Sequence, residues 1–285
     1  MTNSKAKYLH LFLIFVLFVN SCSSNKDLMF GASIAEYAIP ISFKSHEKKI
    51  KKDGFNSEVY LNASKSLTQY SYGILMEKAD RLMYADYYTA REYYNESLDL
   101  FLTSRDYMIY ALSLRHKDFE SKMKTRAKID FTLEDIPYLY WLSGSMAGSI
   151  QASQGNPEYL VDLSNIRWLL DNAITLDPDW EKGSLYAAMM SIYLNDLSGD
   201  KNSERKALEY FELADRAAKG YNIGIYVTLA ESFAVSKQDK EYFLELINKA
   251  LTIDINKDKD LKQANTLSKL RAKWLLTRVD DLFYM

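Results

Sequence analysis

Chain breakers are scarce in this sequence: ten glycines and four prolines in 285 residues, about 5% against a typical value of roughly 12%. A β-rich fold of this length reverses direction many times and spends Gly, Pro or Asn-Gly at each reversal. The chain therefore predicts helices with few interruptions. A hydrophobic fraction of 48% and a charged fraction of 26% belong to a chain that can bury a core. The single cysteine excludes intramolecular disulfides and cysteine-based metal clusters. His10, His46 and His116 are widely spaced, so no metal site and no cofactor is expected.

The cysteine gains meaning from its position. Lys5 and Lys7 open the chain, residues 9–19 are apolar except for His10, and Val19-Asn20-Ser21-Cys22 follows. The apolar run falls short of the roughly 20 residues a transmembrane helix needs and suits a signal-peptide core. The placement of Val19, Ser21 and Cys22 resembles a bacterial lipobox, although Asn20 is less usual at its middle position. That resemblance implies a signal peptide over 1–21, a diacylglyceryl thioether on Cys22 and a lipidated tether over 22–33. One helical domain then fills 34–285, and the membrane is touched through the lipid alone. The alternative is an ordinary secretory signal that leaves Cys22 a free thiol. Losing Lys5 and Lys7 makes the net charge of −2 more negative still, which offers nucleic acid no basic footprint.

The rest of the chain has helical periodicity. Tyr70, Ile74, Leu75, Ala79, Leu82 and Met83 share one face, and Ala90, Tyr94, Ser97, Leu98 and Phe101 the next. Asp86, between them, is placed to cap the second helix. Thr132 to Asp135 outlines a capping box, and Asp135 is the preferred cap because Pro137 then falls in the first turn. The helix that begins there, to about Ala152, is apolar nearly all round and should be buried, with Gly144 and Gly148 admitting a neighbour closely. Breaks stand at Gly155-Asn156-Pro157, Asp177-Pro178-Asp179 and Ser198-Gly199-Asp200. No stretch alternates long enough for a strand, so the fold class is all-α.

A small–large–small spacing stands at Ala90-Tyr94-Ser97 and Ala207-Phe211-Ala214, and partial matches at Leu170-Ala173-Pro178, with Ile166 in the first small position, and at Phe243-Ile247-Ala250, in its second half. They read as degenerate tetratricopeptide-like helical pairs, with an inserted segment from Arg105 to Asp130. Within this frame the sequence is similar to the T-component family of tripartite ATP-independent periplasmic (TRAP) transporters. The resemblance runs through Asp135-Ile-Pro-Tyr-Leu-Tyr-Trp141, Ile166-Arg-Trp-Leu-Leu-Asp-Asn-Ala173, Val227 to Val235, and Arg271-Ala-Lys-Trp-Leu-Leu276. It implies a periplasmic accessory lipoprotein, self-associated as a trimer, that partners the substrate-binding (P) subunit and passes an apolar ligand through a cavity in each protomer. Ser23 after the cysteine favours the outer membrane. The alternative is an envelope scaffold that handles no small molecule.

Candidate contacts for a ligand or partner are Tyr138, Tyr140, Trp141, Trp180 and Tyr186, aromatics that either line a cavity or fill a core. Glu231, in an otherwise apolar helix, needs a cationic partner if buried, and Arg271 is the expected one. Asp254-x-Asn256-x-Asp258 and Asp196-x-Ser198-x-Asp200 begin like calcium loops but place lysine where glycine is required, so they read as solvated loops. Lys48-Lys49-Ile-Lys51-Lys52 reads as a solvated turn between helices, the alternative being a contact with anionic lipid or a partner. HExxH, Gly-x-Ser-x-Gly and a phosphate-cradling glycine loop are all missing, so no catalytic residue is assigned.

Overall fold

A computed structural model of the chain describes residues 25–196 and 202–284. Cys22 and the Ser198-Gly199-Asp200 loop lie outside them. The described residues are helical, with no strand among them. In order, the helices are α1 (Asn25–Lys52), α2 (Ser57–Tyr70), α3 (Glu77–Leu82), α4 (Tyr87–Arg115), α5 (Phe119–Thr125), α6 (Ile136–Ala152), α7 (Pro157–Leu160) and α8 (Leu163–Leu176). They continue with α9 (Trp180–Leu194), α10 (Ser203–Ala217), α11 (Ile223–Thr228), α12 (Val235–Lys237), α13 (Lys240–Thr252), α14 (Lys262–Leu276) and α15 (Val279–Leu282). Residues 25–33, assigned above to the tether, form the start of α1. The run Lys48 to Lys52 is the last turn of that helix and not a turn between helices. Arg105 to Asp130 is no separate insertion: its first half simply continues α4, and only the short α5 is added.

Local chemistry sets many of the boundaries. The Asp86 carboxylate accepts from the Thr89 N–H at 3.1 Å and starts α4. Asp135 stands at the N-cap position of α6, as expected, but its side chain makes no cap bond to that helix. The Asp135 carboxylate reaches back to the Thr132 N–H at 2.8 Å, closing a capping box over a 3₁₀ turn, Leu133–Asp135. The reason is a second demand on that carboxylate: Arg115 Nε donates to it at 2.6 Å and His116 Nε2 lies 3.1 Å away. Burial opposes its ionisation, yet these donors together hold its pKa below the ordinary value.

Each helix packs mainly on the next: α1 on α2, α2 on α4, α4 on α6, α6 on α8, α8 on α9, and α9 on α10. α6 is buried along its length except at Pro137. Beyond α10, α11 packs with α13 and α14. Two hydrophobic cores result. The first gathers residues from α2 to α9, the second from α9 to the C-terminus. Helix α9 serves both: Leu185, Ala188, Met189 and Ile192 face the first, Ala187 and Met190 the second. That division explains why α9 is apolar all round.

Two π-helical turns interrupt the regular helices, at Ser71–Met76 between α2 and α3 and at Leu229–Ala234 between α11 and α12. Each takes an extra residue per turn and rotates the helix beyond it. The four-residue steps read across Tyr70 to Met83 are therefore not one straight stripe.

Gly148 lets α6 approach Phe101 of α4 closely. A Cβ there would collide with the Phe101 ring, and that ring is fully buried, with Tyr72 packed on it at 4.7 Å. The Tyr72 hydroxyl also donates to the Gly144 carbonyl at 3.1 Å. Gly148→Val should lower stability by about 3 kcal/mol through overpacking. An unchanged urea midpoint would show that the two helices do not approach so closely.

Candidate functional site

Glu231 and Arg271 meet between the two cores. Arg271, on α14, is 3% exposed. Its Nε donates to Glu231 Oε2 at 3.2 Å, and its Nη2 donates to Glu231 Oε1, a two-pronged grip. Two further carboxylates complete the group. Nη1 donates to Glu77 Oε1 at 3.3 Å, and Nη2 lies 2.9 Å from Asp80 Oδ2. The buried Tyr94 hydroxyl donates to the other Asp80 oxygen. The guanidinium carbon stands 4.3 Å from the centroid of the Trp274 ring, whose π face favours a cation.

The π turns help place these acids. Glu231 lies inside one, and Glu77 comes directly after the other. Asp80 then sits one helical turn from both Met76 and Met83, so an acid occupies the apolar stripe of α3.

Three carboxylates around one buried arginine leave an excess of negative charge. Glu77 is relieved by the more exposed Arg81, which donates to its Oε2 at 3.1 and 3.2 Å. Among the described residues Glu231 has no such second cation. Burial is the main cause that pushes its pKa up to about 7; Arg271 pulls it down, and Asp80 and Glu77 add to the rise. Burial alone would weaken the charge on Arg271, but the surrounding carboxylates outweigh it and hold its pKa above the ordinary value. Burial and the neighbouring Asp80 likewise push the Tyr94 phenol up, so it stays a proton donor. Chemically, this cluster is fitted to join two bodies and to titrate. Among the described residues no group of His, Cys, Asp and Glu is arranged to hold a metal ion.

The five singled-out aromatics fall into three places. Tyr140 packs edge-on to Trp141 at 5.3 Å and against Trp180 at 4.9 Å. Tyr138 is separate: Arg115 covers its ring at 4.8 Å, and its hydroxyl lies 3.1 Å from Ser57 Oγ. Tyr186 joins Tyr210, which stacks on Tyr193 at 5.7 Å. Tyr138, Tyr140 and Trp141 are 5%, 1% and 4% exposed, whereas Trp180 and Tyr186 are partly exposed.

Trp180 is positioned by an unusual turn. Glu181, Lys182 and Gly183 take φ of 44, 59 and 80°, three left-handed residues in succession, of which only the glycine adopts that region freely. Lys182 Nζ anchors the turn to Asp258 at 2.6 Å and Asp260 at 3.2 Å. In the other acidic loop, Asp196 meets Arg167 at 2.7 Å. Asp196 and Asp258 are thus each paired with a protein cation.

Glu231 takes up its proton at a higher pH folded, about 7, than at its ordinary value of 4.5. Its contribution to stability is complete below pH 4.5 and is lost as pH rises through 7, a change of about 3 kcal/mol. Urea midpoints at pH 5 and pH 8 should reveal this fall, and Glu231→Gln should flatten it; an equal fall in the variant would assign it elsewhere. Arg271→Leu strips the Asp80 and Glu231 carboxylates of their guanidinium, while Glu77 keeps Arg81, and should cost about 3–5 kcal/mol at pH 8. A loss under 1 kcal/mol would mean that the cluster is hydrated.

The sequence profile of the TRAP transporter T-component family matches residues 31–283. An uncharacterized protein of Treponema pallidum (strain Nichols) is 19% identical over 253 residues, which is 86% of this chain and 78% of its own. The family match thus takes in both cores, the Arg271 cluster and all five aromatics, and the chain belongs to the TRAP transporter T-component family.

Proposed function

We propose that the protein is a non-enzymatic accessory component of a TRAP-type solute uptake system, and that it docks the system's substrate-binding subunit. The observation that carries this reading is the family match from residue 31 to residue 283, which takes in nearly the whole helical array instead of one shared motif. Helical arrays present extended surfaces to partners, and two cores joined through buried charge give such a surface a fixed shape. In this reading lipid on Cys22 holds the protein at the periplasmic face of a bacterial membrane, the outer one, and the chains associate as trimers.

Passage of an apolar ligand is the finer part of the proposal, and the aromatics divide on it. Trp180 and Tyr186 are partly exposed and remain available to line a path. The close packing of Tyr138, Tyr140 and Trp141 supports the second reading, a scaffold that handles no small molecule, since these three offer little surface to a ligand.

Crosslinking in periplasmic extract with the lipid-free mature chain as bait should recover a TRAP substrate-binding subunit. Its absence under efficient crosslinking counts against docking. Organic extraction of the purified protein separates the finer readings: an apolar compound near one per chain supports passage, and an empty extract supports the scaffold.

A further inference from the structure

The outer face of α1 takes no part in the cores or the charge cluster. α1 packs on α2 through one stripe. Phe43 meets Tyr70 edge-on at 5.6 Å, His46 Nε2 lies 3.0 Å from Ser66 Oγ, and Ile50 is partly buried against the first core. These positions recur at three- and four-residue steps. The opposite face therefore carries Ile41, Ser45, Lys48 and Lys52, with Lys44, Lys49 and Lys51 on its flanks. All seven are exposed. Ile41 is 71% exposed, and Phe55, on the loop after the helix, is 87% exposed.

A solvated helix face usually interleaves charges of both signs at helical spacing. Here Glu47 and Asp53 are the acids among five lysines, and none of the five forms an ion pair among the described residues. Two large apolar side chains bracket them. Lysines that meet anionic headgroups, beside apolar groups that enter the acyl boundary, are what an interfacial surface requires.

We propose that the outer face of α1, from Ile41 to Phe55, seats on an anionic phospholipid surface. Charge complementarity selects this occupant, and so does the course of the chain: Cys22 stands three residues before Asn25, where α1 begins. The contact itself needs no lipid on Cys22. One consequence does rest on that lipid: the 28 residues of α1 span about 42 Å, so anchor and Phe55 mount the protein at both ends of one helix. A tether becomes a two-point mounting that fixes orientation.

The test uses the chain from Ser23 to Met285, which contains all the described residues, sedimented with vesicles. The protein should pellet with phosphatidylglycerol–phosphatidylcholine vesicles at low salt, and should stay in solution at high salt or with phosphatidylcholine alone. Each lysine near such a surface contributes about 1 kcal/mol, a factor of about five in partition. Lys48→Glu with Lys52→Glu should therefore cut binding by about 25-fold or more. Phe55→Ser should weaken it with the salt dependence intact. All three positions are exposed, so far-UV circular dichroism and the urea midpoint should stay unchanged. No partition at low salt, equal binding to neutral vesicles, or full binding by the double variant would overturn the proposal. So would capture of an acidic protein through these lysines without vesicle binding. None of these outcomes bears on docking of the substrate-binding subunit, which crosslinking reads separately.

Discussion

Taking an arginine out of water costs several kcal/mol, and the interior returns that cost only when carboxylates meet the guanidinium in good geometry. Arg271 meets three, and they come from distant parts of the chain. Glu231 belongs to the C-terminal core, whereas Glu77 and Asp80 belong to α3, and Arg271 stands 194 positions after Glu77. The arginine can be satisfied only when the two halves are correctly seated, so it acts as a register between them. Its neighbours are arranged around it: Trp274 lies beneath the guanidinium, Tyr94 donates to Asp80, and Arg271 opposes the burial that lifts the Glu231 pKa to about 7.

Two other devices tie the halves together. Helix α9 lends one face to each core, and Lys182 crosses from its left-handed first turn to Asp258. Apolar burial brings the cores together without direction, while the charged contacts specify one arrangement. A frame held in this way is suited to presenting a surface, which agrees with membership of a family of transporter accessory proteins.

Much of this was legible in the sequence because the chemistry is local. Asp86 caps α4 and Pro137 opens α6. The continuous apolar run through α6 announced its burial, and Gly148 its close neighbour. Glu231 within an apolar stretch announced a need for charge compensation, and Arg271 lies against it. Glu77 and Asp80 were missed, although Asp80 between Met76 and Met83 is the same signal as Glu231: an acid in an apolar stripe. The π turns could not be read, because they shift apolar spacing by one residue and carry no composition of their own. Nor could the left-handed turn, since Glu181 and Lys182 give no cue for positive φ, and the anchors of Lys182, Asp258 and Asp260, lie far along the chain. The five aromatics were grouped by nearness in sequence. Neighbours on one helix point in different directions, so Tyr138 and Tyr140 part company.

Native-state amide hydrogen exchange on an Arg271→Met variant tests the register directly, because methionine fills much of the volume without the charge. If Arg271 seats the two halves on one another, α3 and α4 should lose protection together with α11, α13 and α14, while α8 and the interior of α6 change little. Lost protection confined to α14 would contradict the account and reduce the cluster to a local contact.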